Sequence, residues 1–324
     1  MNNIILLGHG VGVKLVIQTL LNTPDLGYVV TGVVTHPRKD HERDLRMIEE
    51  KADVYGEFAY NVFNVAEDFG VSLMEADDVN DDLVIEWIDN HNPHYIISIG
   101  CRNIIRKTFL EKYPGRVLNI HTTPLPKYRG AASDSWMILN NEWGQELYGC
   151  MHFIDQGIDT GDIVSKGYYE IPKKAYPIDV FKKRMGVFEE VVINGLKNLE
   201  TGQKLVKQIT NESTTFPRLY TPVDGRINFE IWNGEEIERF IYAFSYPFEG
   251  AHCFLGKKKI NINEVEYHTS SNFHPFSIGL IFGKNDNSEY KVSVRGGYLL
   301  LKKVSLEGKE IDQKKMLRLG KYLK

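Results

Sequence analysis

Residues 3–36, "NIILLGHGVGVKLVIQTLLNTPDLGYVVTGVVTH", constrain the fold more than any other stretch. "NIILLG" is apolar throughout, as a strand covered on both faces must be. "VKLVIQTLL" carries its apolar residues at helical spacing, and "YVVTGVVTH" is a second apolar, β-branched run. A strand, a helix and a strand in that order form a βαβ unit, which opens a parallel sheet.

The pattern continues downstream. "YNVFNVAEDFG" reads as a helix, with Phe58, Val62, Val65 and Phe69 on one face. "DDLVIEWIDNHNP" reads as another, capped near Asp81 or Asp82 and stopped by Pro93. "HYIISIG", "RVLNIH" and "GCMHFID" read as strands, and Pro177 to about Leu199 as one long helix. After Gly202 the texture changes to short β-rich runs broken by glycine and asparagine, such as "GAHCFLG", "KKININEVEY" and "YLLLKKV". The expected fold class is therefore α/β, with a Rossmann-like, mostly parallel sheet in the N-terminal domain. A smaller β-rich domain, an antiparallel barrel or sandwich, follows it. The boundary falls between 1–202 and 203–324.

Composition narrows the class further. The 324 residues suffice for two domains, and 42% hydrophobic with 25% charged is an ordinary globular balance. No apolar run is long enough to span a membrane. "MNNIILLGHG" lacks the basic region of a secretory signal. Cys101, Cys150 and Cys253 are isolated, which fits a reducing cytoplasm and provides neither a disulfide framework nor metal-ligand spacing. Zinc is further disfavoured: there is no HExxH, and "HNPH" straddles a helix end. Residues 1–202 hold 20 basic and 29 acidic side chains, a balance of −9, and the remainder is +5. An acidic larger half is a poor body to lay along nucleic acid. The basic end, "KKMLRLGKYLK", keeps that option open only weakly.

Two places can carry chemistry. "GHGVGVK" sits where a dinucleotide fingerprint would, but Val13 replaces the third glycine, and the second strand ends in Thr35 and His36 with no acid to hold a ribose hydroxyl. The glycines instead allow a tight turn, leaving His9, Gly10, Gly12 and the helix N-terminus available to an anion. The second place is "LNIHTTPLPKYRGAASDSW". Asn119 and His121 are two apart on a strand and so share a face, at the edge where open α/β sheets bind ligands. A carboxamide beside an imidazole suits attack of an amine on a carbonyl: the imidazole takes the proton and the amide donates to the oxyanion. An acid to steady the imidazole is available from Asp155, Asp159 or Asp162 in "IDQGIDTGD".

"LNIHTTPLPKYRGAASDSW", followed about 35 residues on by "DQGIDTGDIV", resembles the formyltransferases that use 10-formyltetrahydrofolate. "RLYTPVDGRINF" and "SYPFEGAHCFLGKKKI" resemble the C-terminal subdomain shared by methionyl-tRNA formyltransferases and nucleotide-sugar N-formyltransferases. The resemblance selects Asp159 to complete a triad with Asn119 and His121. It implies 10-formyltetrahydrofolate as co-substrate, with the pterin near Ser98, Ile99, Gly100, Asp155 and Gly157, and no metal. It also bears on the amine. The tRNA enzymes carry "SLLP" where this chain has "TPLP", and a basic excursion where this chain has the mixed "PRKDHERDLRMIEEKADVYGE". The resemblance is closer to the enzymes that formylate amino-deoxy sugars carried on nucleotides for O-antigen and lipopolysaccharide synthesis. Lys127, Arg129 and the turn at His9–Gly12 are then candidate diphosphate contacts, Arg129 standing equally well as a structural brace. The expected partners are a folate and a nucleotide-linked amino sugar, with no nucleic acid or membrane, and a homodimer is consistent with the family. The alternatives are methionyl-tRNA formyltransferase and a dinucleotide-binding or folate-sensing protein without transfer chemistry. Which nucleotide, and whether the amine is on carbon 3 or 4, stay open.

Overall fold

The computed structural model describes residues 1–131, 133–209, 212–270, 273–306 and 309–324. The chain forms two compact units, and neither is one continuous stretch. The first comprises Met1–Gly130, Glu146–Glu170 and Lys182–Phe216; the second comprises Ala131–Gln145, Ile171–Phe181 and Pro217–Lys324. Residues 203–216, beyond the 1–202 expected for the catalytic domain, thus pack with the first unit.

In the first unit the strands are β1 (Asn2–Gly8), β2 (Tyr28–Thr35), β3 (Ser72–Glu75), β4 (Tyr95–Ile99), β5 (Val117–His121), β6 (Arg129–Gly130), β7 (Glu146–Phe153), β8 (Ile163–Glu170) and β9 (Thr215–Phe216). Seven make one sheet in the order β3-β2-β1-β4-β5-β7-β8, while β6 pairs with β9. The neighbours from β3 to β5 are parallel; β7 and β8 join antiparallel. The βαβ expectation therefore holds. Ile4, Ile5, Leu6 and Leu7 are all 0% exposed, which explains why β1 is apolar at every position rather than alternating. One core contains Ile5, Leu7, Val34, Ile96 and Val117 with Val84, Ile88 and Phe109 from the helices Asp82–Asn90 and Lys107–Lys112. Gly32 of β2 is required here, because a β-carbon would lie 2.4 Å from the Trp87 ring.

Two expected helices differ. Pro177–Leu199 is not one helix but two, Pro177–Gly186 and Phe188–Thr201. Val187 leaves helical geometry between them (φ −98°, ψ 3°) and packs against Gly167 of β8. The run after Tyr60 opens as a 3-10 turn, Val62–Asn64, before the short helix Val65–Phe69. There the Asn61 side chain accepts the Phe63 N–H at 2.9 Å, a local bond that competes with regular helix.

The second unit holds β10 (Ala251–Leu255), β11 (Lys258–Thr269), β12 (Ile281–Lys284), β13 (Tyr290–Val294), β14 (Gly297–Leu306) and β15 (Lys309–Glu310). They pair antiparallel in the order β10-β11-β14-β13-β12, with β15 on β14. The last residues bridge the two edges. Phe254 N–H donates to the Lys324 carbonyl at 2.6 Å and Ile281 N–H to the Lys321 carbonyl at 2.8 Å. The basic C-terminal run thus closes a small barrel with its backbone, and Leu323 is 1% exposed. The helix Gly234–Ala243 begins with a complete capping box between Asn233 and Glu236. Among the described residues no helix is long and apolar enough to cross a membrane.

Candidate active site

The sheet order turns outward in both directions from β1 and β4, so their carboxyl ends flank the crevice where such folds bind ligands. β1 delivers Gly8 and His9, β4 delivers Ser98, Ile99 and Gly100, and β5, adjacent to β4, delivers Asn119 and His121. Ser98 and Asn119 are register partners.

His121 is held from one side. Its Nε2 lies 2.6 Å from the Tyr128 carbonyl and 2.7 Å from Thr123 Oγ1. A carbonyl only accepts, so Nε2 carries the hydrogen and Nδ1 keeps its lone pair. Nδ1 faces the Asp159 carboxylate, 3.9 Å away. Orientation of the ring thus belongs to Tyr128 and Thr123, in the proline-rich loop. Asp159 stands at the basic nitrogen instead, a place from which a carboxylate can balance the charge of an imidazolium.

Asn119 is fixed by a residue that sequence reasoning did not select. On β7, His152 lies directly opposite Asn119, and its Nε2 is 3.1 Å from Asn119 Nδ2. His152 Nδ1 donates to the Phe153 carbonyl at 2.7 Å, so Nε2 is the acceptor and the asparagine must present its NH2 group. One amide hydrogen is used; the second on that nitrogen is available to an oxyanion. Burial, reinforced by the neighbouring His121, lowers the His152 pKa to about 4, so the ring is neutral at pH 7. Its Nε2 is also 3.8 Å from Asp159 Oδ1. The two carboxylate oxygens of Asp159 therefore face two imidazoles, and Asn119, His121, Asp159 and His152 form one cluster. The signal for His152 in the sequence was a histidine inside the apolar strand "GCMHFID", but its partner lies 33 residues away.

The other candidates are placed as follows. Asp155 accepts from Gly157 N–H at 3.0 Å and from the Thr160 hydroxyl, bonds that shape its own loop. Arg129 is 8% exposed; its Nε donates to the Asp159 carbonyl at 3.1 Å. That bond is one a structural brace makes. The Lys127 ammonium lies over the Tyr128 ring at 5.5 Å. Gly12 is buried, with Ile99 Cγ2 2.5 Å from where a β-carbon would stand. His9 N–H donates to the Ile99 carbonyl at 3.2 Å, and the His9 ring packs 4.8 Å from that of His41. Burial, then the nearby His41 and Arg102, lower its pKa to about 4, so the His9 ring is neutral at pH 7.

His9, His41 and Asp44 each present a ligand atom within 4.8 Å of one another. Arg102 already lies against this cluster, with Nη2 2.9 Å from Asp44 Oδ2 and 3.2 Å from His41 Nδ1. The guanidinium supplies the positive charge that a metal ion would bring.

Residues 2–193 match the family described as formyl transferase, and residues 220–318 match the formyl transferase C-terminal domain. The chain belongs to the formyl transferase family. As a formyltransferase it is 27% identical over 283 residues to a methionyl-tRNA formyltransferase of Rickettsia bellii, covering 87% of this chain and 86% of that protein. Its fold matches WlaRD, a sugar 3N-formyltransferase crystallised with dTDP and 5-N-formyl-THF. That match has a TM-score of 0.62 at 20% identity, over 93% of this chain and 97% of that one. An N-formyltransferase from Helicobacter canadensis, in complex with folinic acid and dTDP-3-aminofucose, matches with a TM-score of 0.62 at 18% identity. It covers 99% of this chain and 100% of that one.

Proposed function

We propose that this formyltransferase moves the formyl group of 10-formyltetrahydrofolate to the amine of a nucleotide-linked amino-deoxy sugar destined for surface polysaccharide such as O-antigen. The observation that carries the chemistry is the cluster of Asn119, His121 and Asp159, with a free Nδ1 lone pair on His121 beside a carboxylate. The amine nitrogen attacks the formyl carbon while His121 Nδ1 takes the amine proton. Asn119 donates to the oxygen that gains charge, a contribution of roughly 3–4 kcal/mol. Asp159 balances the imidazolium. As the bond from the formyl carbon to folate nitrogen 10 breaks, the proton passes to that nitrogen and tetrahydrofolate leaves.

The choice of a sugar over tRNA is supported by charge. Three cations in the segments after β2 and β4 are engaged with neighbouring acids: Arg102 with Asp44 at 2.9 Å, Arg106 with Asp78 at 2.5 Å and Lys39 with Asp77 at 3.4 Å. Paired charges release few counterions from an RNA backbone. The fold match to two sugar enzymes over 93% and 99% of the chain points the same way. The second reading, methionyl-tRNA formyltransferase, is favoured by the sequence relatives, including the one at 27% identity. The deciding experiment incubates the protein with 10-formyltetrahydrofolate and dTDP-, GDP- and UDP-linked 3-amino and 4-amino sugars, or with charged initiator tRNA, and follows tetrahydrofolate release. Turnover with a sugar is expected; turnover with tRNA alone overturns the substrate assignment. A homodimer is part of the same reading, and sedimentation equilibrium tests it.

A further inference from the structure

The segment after the last helix of the first unit, 203–216, is tied to both loops of the candidate site. Ahead of Gln208, Val206 exchanges backbone hydrogen bonds with Ile163, both 2.9 Å, just after the Asp159 loop. Beyond it, β9 pairs with β6, placing Thr215 beside Arg129 and Phe216 beside Gly130. The Phe216 ring stacks on Tyr128, with centroids 5.4 Å apart. Between these anchors, the Gln208 side chain reaches the Asp159 loop. Its Nε2 donates to the Asp159 carbonyl at 2.9 Å and to the Gly161 carbonyl at 2.8 Å. Its Oε1 accepts from Arg129 Nη2 at 2.8 Å, and Arg129 Nε donates to that same Asp159 carbonyl at 3.1 Å.

Asp159 has a reason to need such a hold. Its φ is 52°, in the left-handed region that residues other than glycine visit seldom and at some cost. A backbone in that conformation persists where surrounding bonds over-determine it. Three side-chain donations to the carbonyls of Asp159 and Gly161 do so, and two of the three come from one amide. The Asp159 carboxylate in addition accepts the Gly130 N–H at 3.2 Å. Gly130 is itself positioned by pairing with Phe216, and a β-carbon there would lie 2.7 Å from the Phe216 carbonyl.

We infer that Gln208 is a positioning residue for formyl transfer: through its bonds to the Asp159 loop and to Arg129 it sets where the Asp159 carboxylate stands against His121. This rests on the reading of Asp159 as a member of the catalytic cluster. Gln208 itself faces the loop backbone and takes no proton. A glutamine is suited to the task because one planar group donates twice and accepts once. Glutamate keeps the acceptor and loses both donations; leucine keeps approximate shape and loses all three.

Two measurements on the full chain test this. The first is a crystal structure of Gln208→Leu, or of Gln208→Glu should the leucine variant not fold. Asp159 is expected to leave the left-handed region, with its carboxylate farther than 3.9 Å from His121 Nδ1. An unchanged loop overturns the inference whatever the substrate is. The second is a double-mutant cycle, using the amine of the panel above with the largest kcat/KM. Gln208→Leu is expected to lower kcat about tenfold with KM for both substrates within about twofold. In the Asp159→Asn background the same substitution is expected to change kcat little, because its target is already gone. Equal losses in both backgrounds overturn the inference and leave the role of Asp159 standing. A wild-type rate in Asp159→Asn alone overturns the reading beneath it.

Discussion

At the scale of single residues, the candidate site is built so that hydrogen-bond partners dictate which nitrogen does what. Tyr128 holds the proton on His121 Nε2, and Phe153 holds the proton on His152 Nδ1. His121→Ala and Asn119→Ala are each expected to lower turnover at least about a hundredfold while leaving the circular dichroism spectrum unchanged. His152→Phe removes the acceptor that turns the Asn119 amide. It is expected to cost about tenfold in kcat, with folate affinity preserved by equilibrium titration. Acid should destabilise the fold through the same ring. The folded pKa of His152 is lowered to about 4 by burial, below the 6.5 of the unfolded chain. The unfolded state therefore binds the extra proton first, so stability present above pH 6.5 is lost as pH falls toward 4. Urea melts between about pH 4 and 7 check this, and His152→Phe should make the profile shallower, leaving the part that His9 contributes.

At the scale of elements, the decisive joints are close approaches that tolerate only small side chains. In the helix Val11–Asn22, Gly12 sits against Ile99 of β4 and Phe188, whose ring would lie 3.1 Å from a β-carbon added at that position. Gly12→Val is expected to destabilise by about 1–3 kcal/mol in chemical denaturation, since Ile99 and Phe188 are both buried and have little room to move aside. In the second unit the closing segment carries Leu323, 1% exposed. Leu323→Ala should cost about 2–4 kcal/mol by the same measurement, as cavity formation adds to lost transfer energy. Elements with strong periodicity were legible beforehand: β1, β2 and the helix between them follow from apolar runs that only a doubly covered strand or an amphipathic helix can use. The break at Val187 was not legible. Nothing local marks it beyond Gly186, and its cause is packing on Gly167 of an earlier strand.

At the scale of the whole molecule, charge and ligand linkage give the remaining expectation. A nucleotide sugar that binds only the native state raises the melting temperature by mass action, by about 2.7 kcal/mol of stability at a hundredfold excess over Kd. Thermal shift against dTDP, GDP and UDP should single out one nucleotide, whereas initiator tRNA at physiological salt should leave the melting temperature unchanged. The sequence alone determined the parallel α/β sheet, the β-rich second part, and the residue types from which an amine-to-formyl transfer can be assembled. These rest on local periodicity and on strand geometry, which puts Asn119 and His121 on one face. Only the tertiary structure decided that His152 lies opposite Asn119, that the Tyr128 carbonyl sets the His121 tautomer, and that Gln208 reaches the Asp159 loop. Those contacts depend on antiparallel register and loop return, which bring together positions tens of residues apart and leave no periodic trace in the chain.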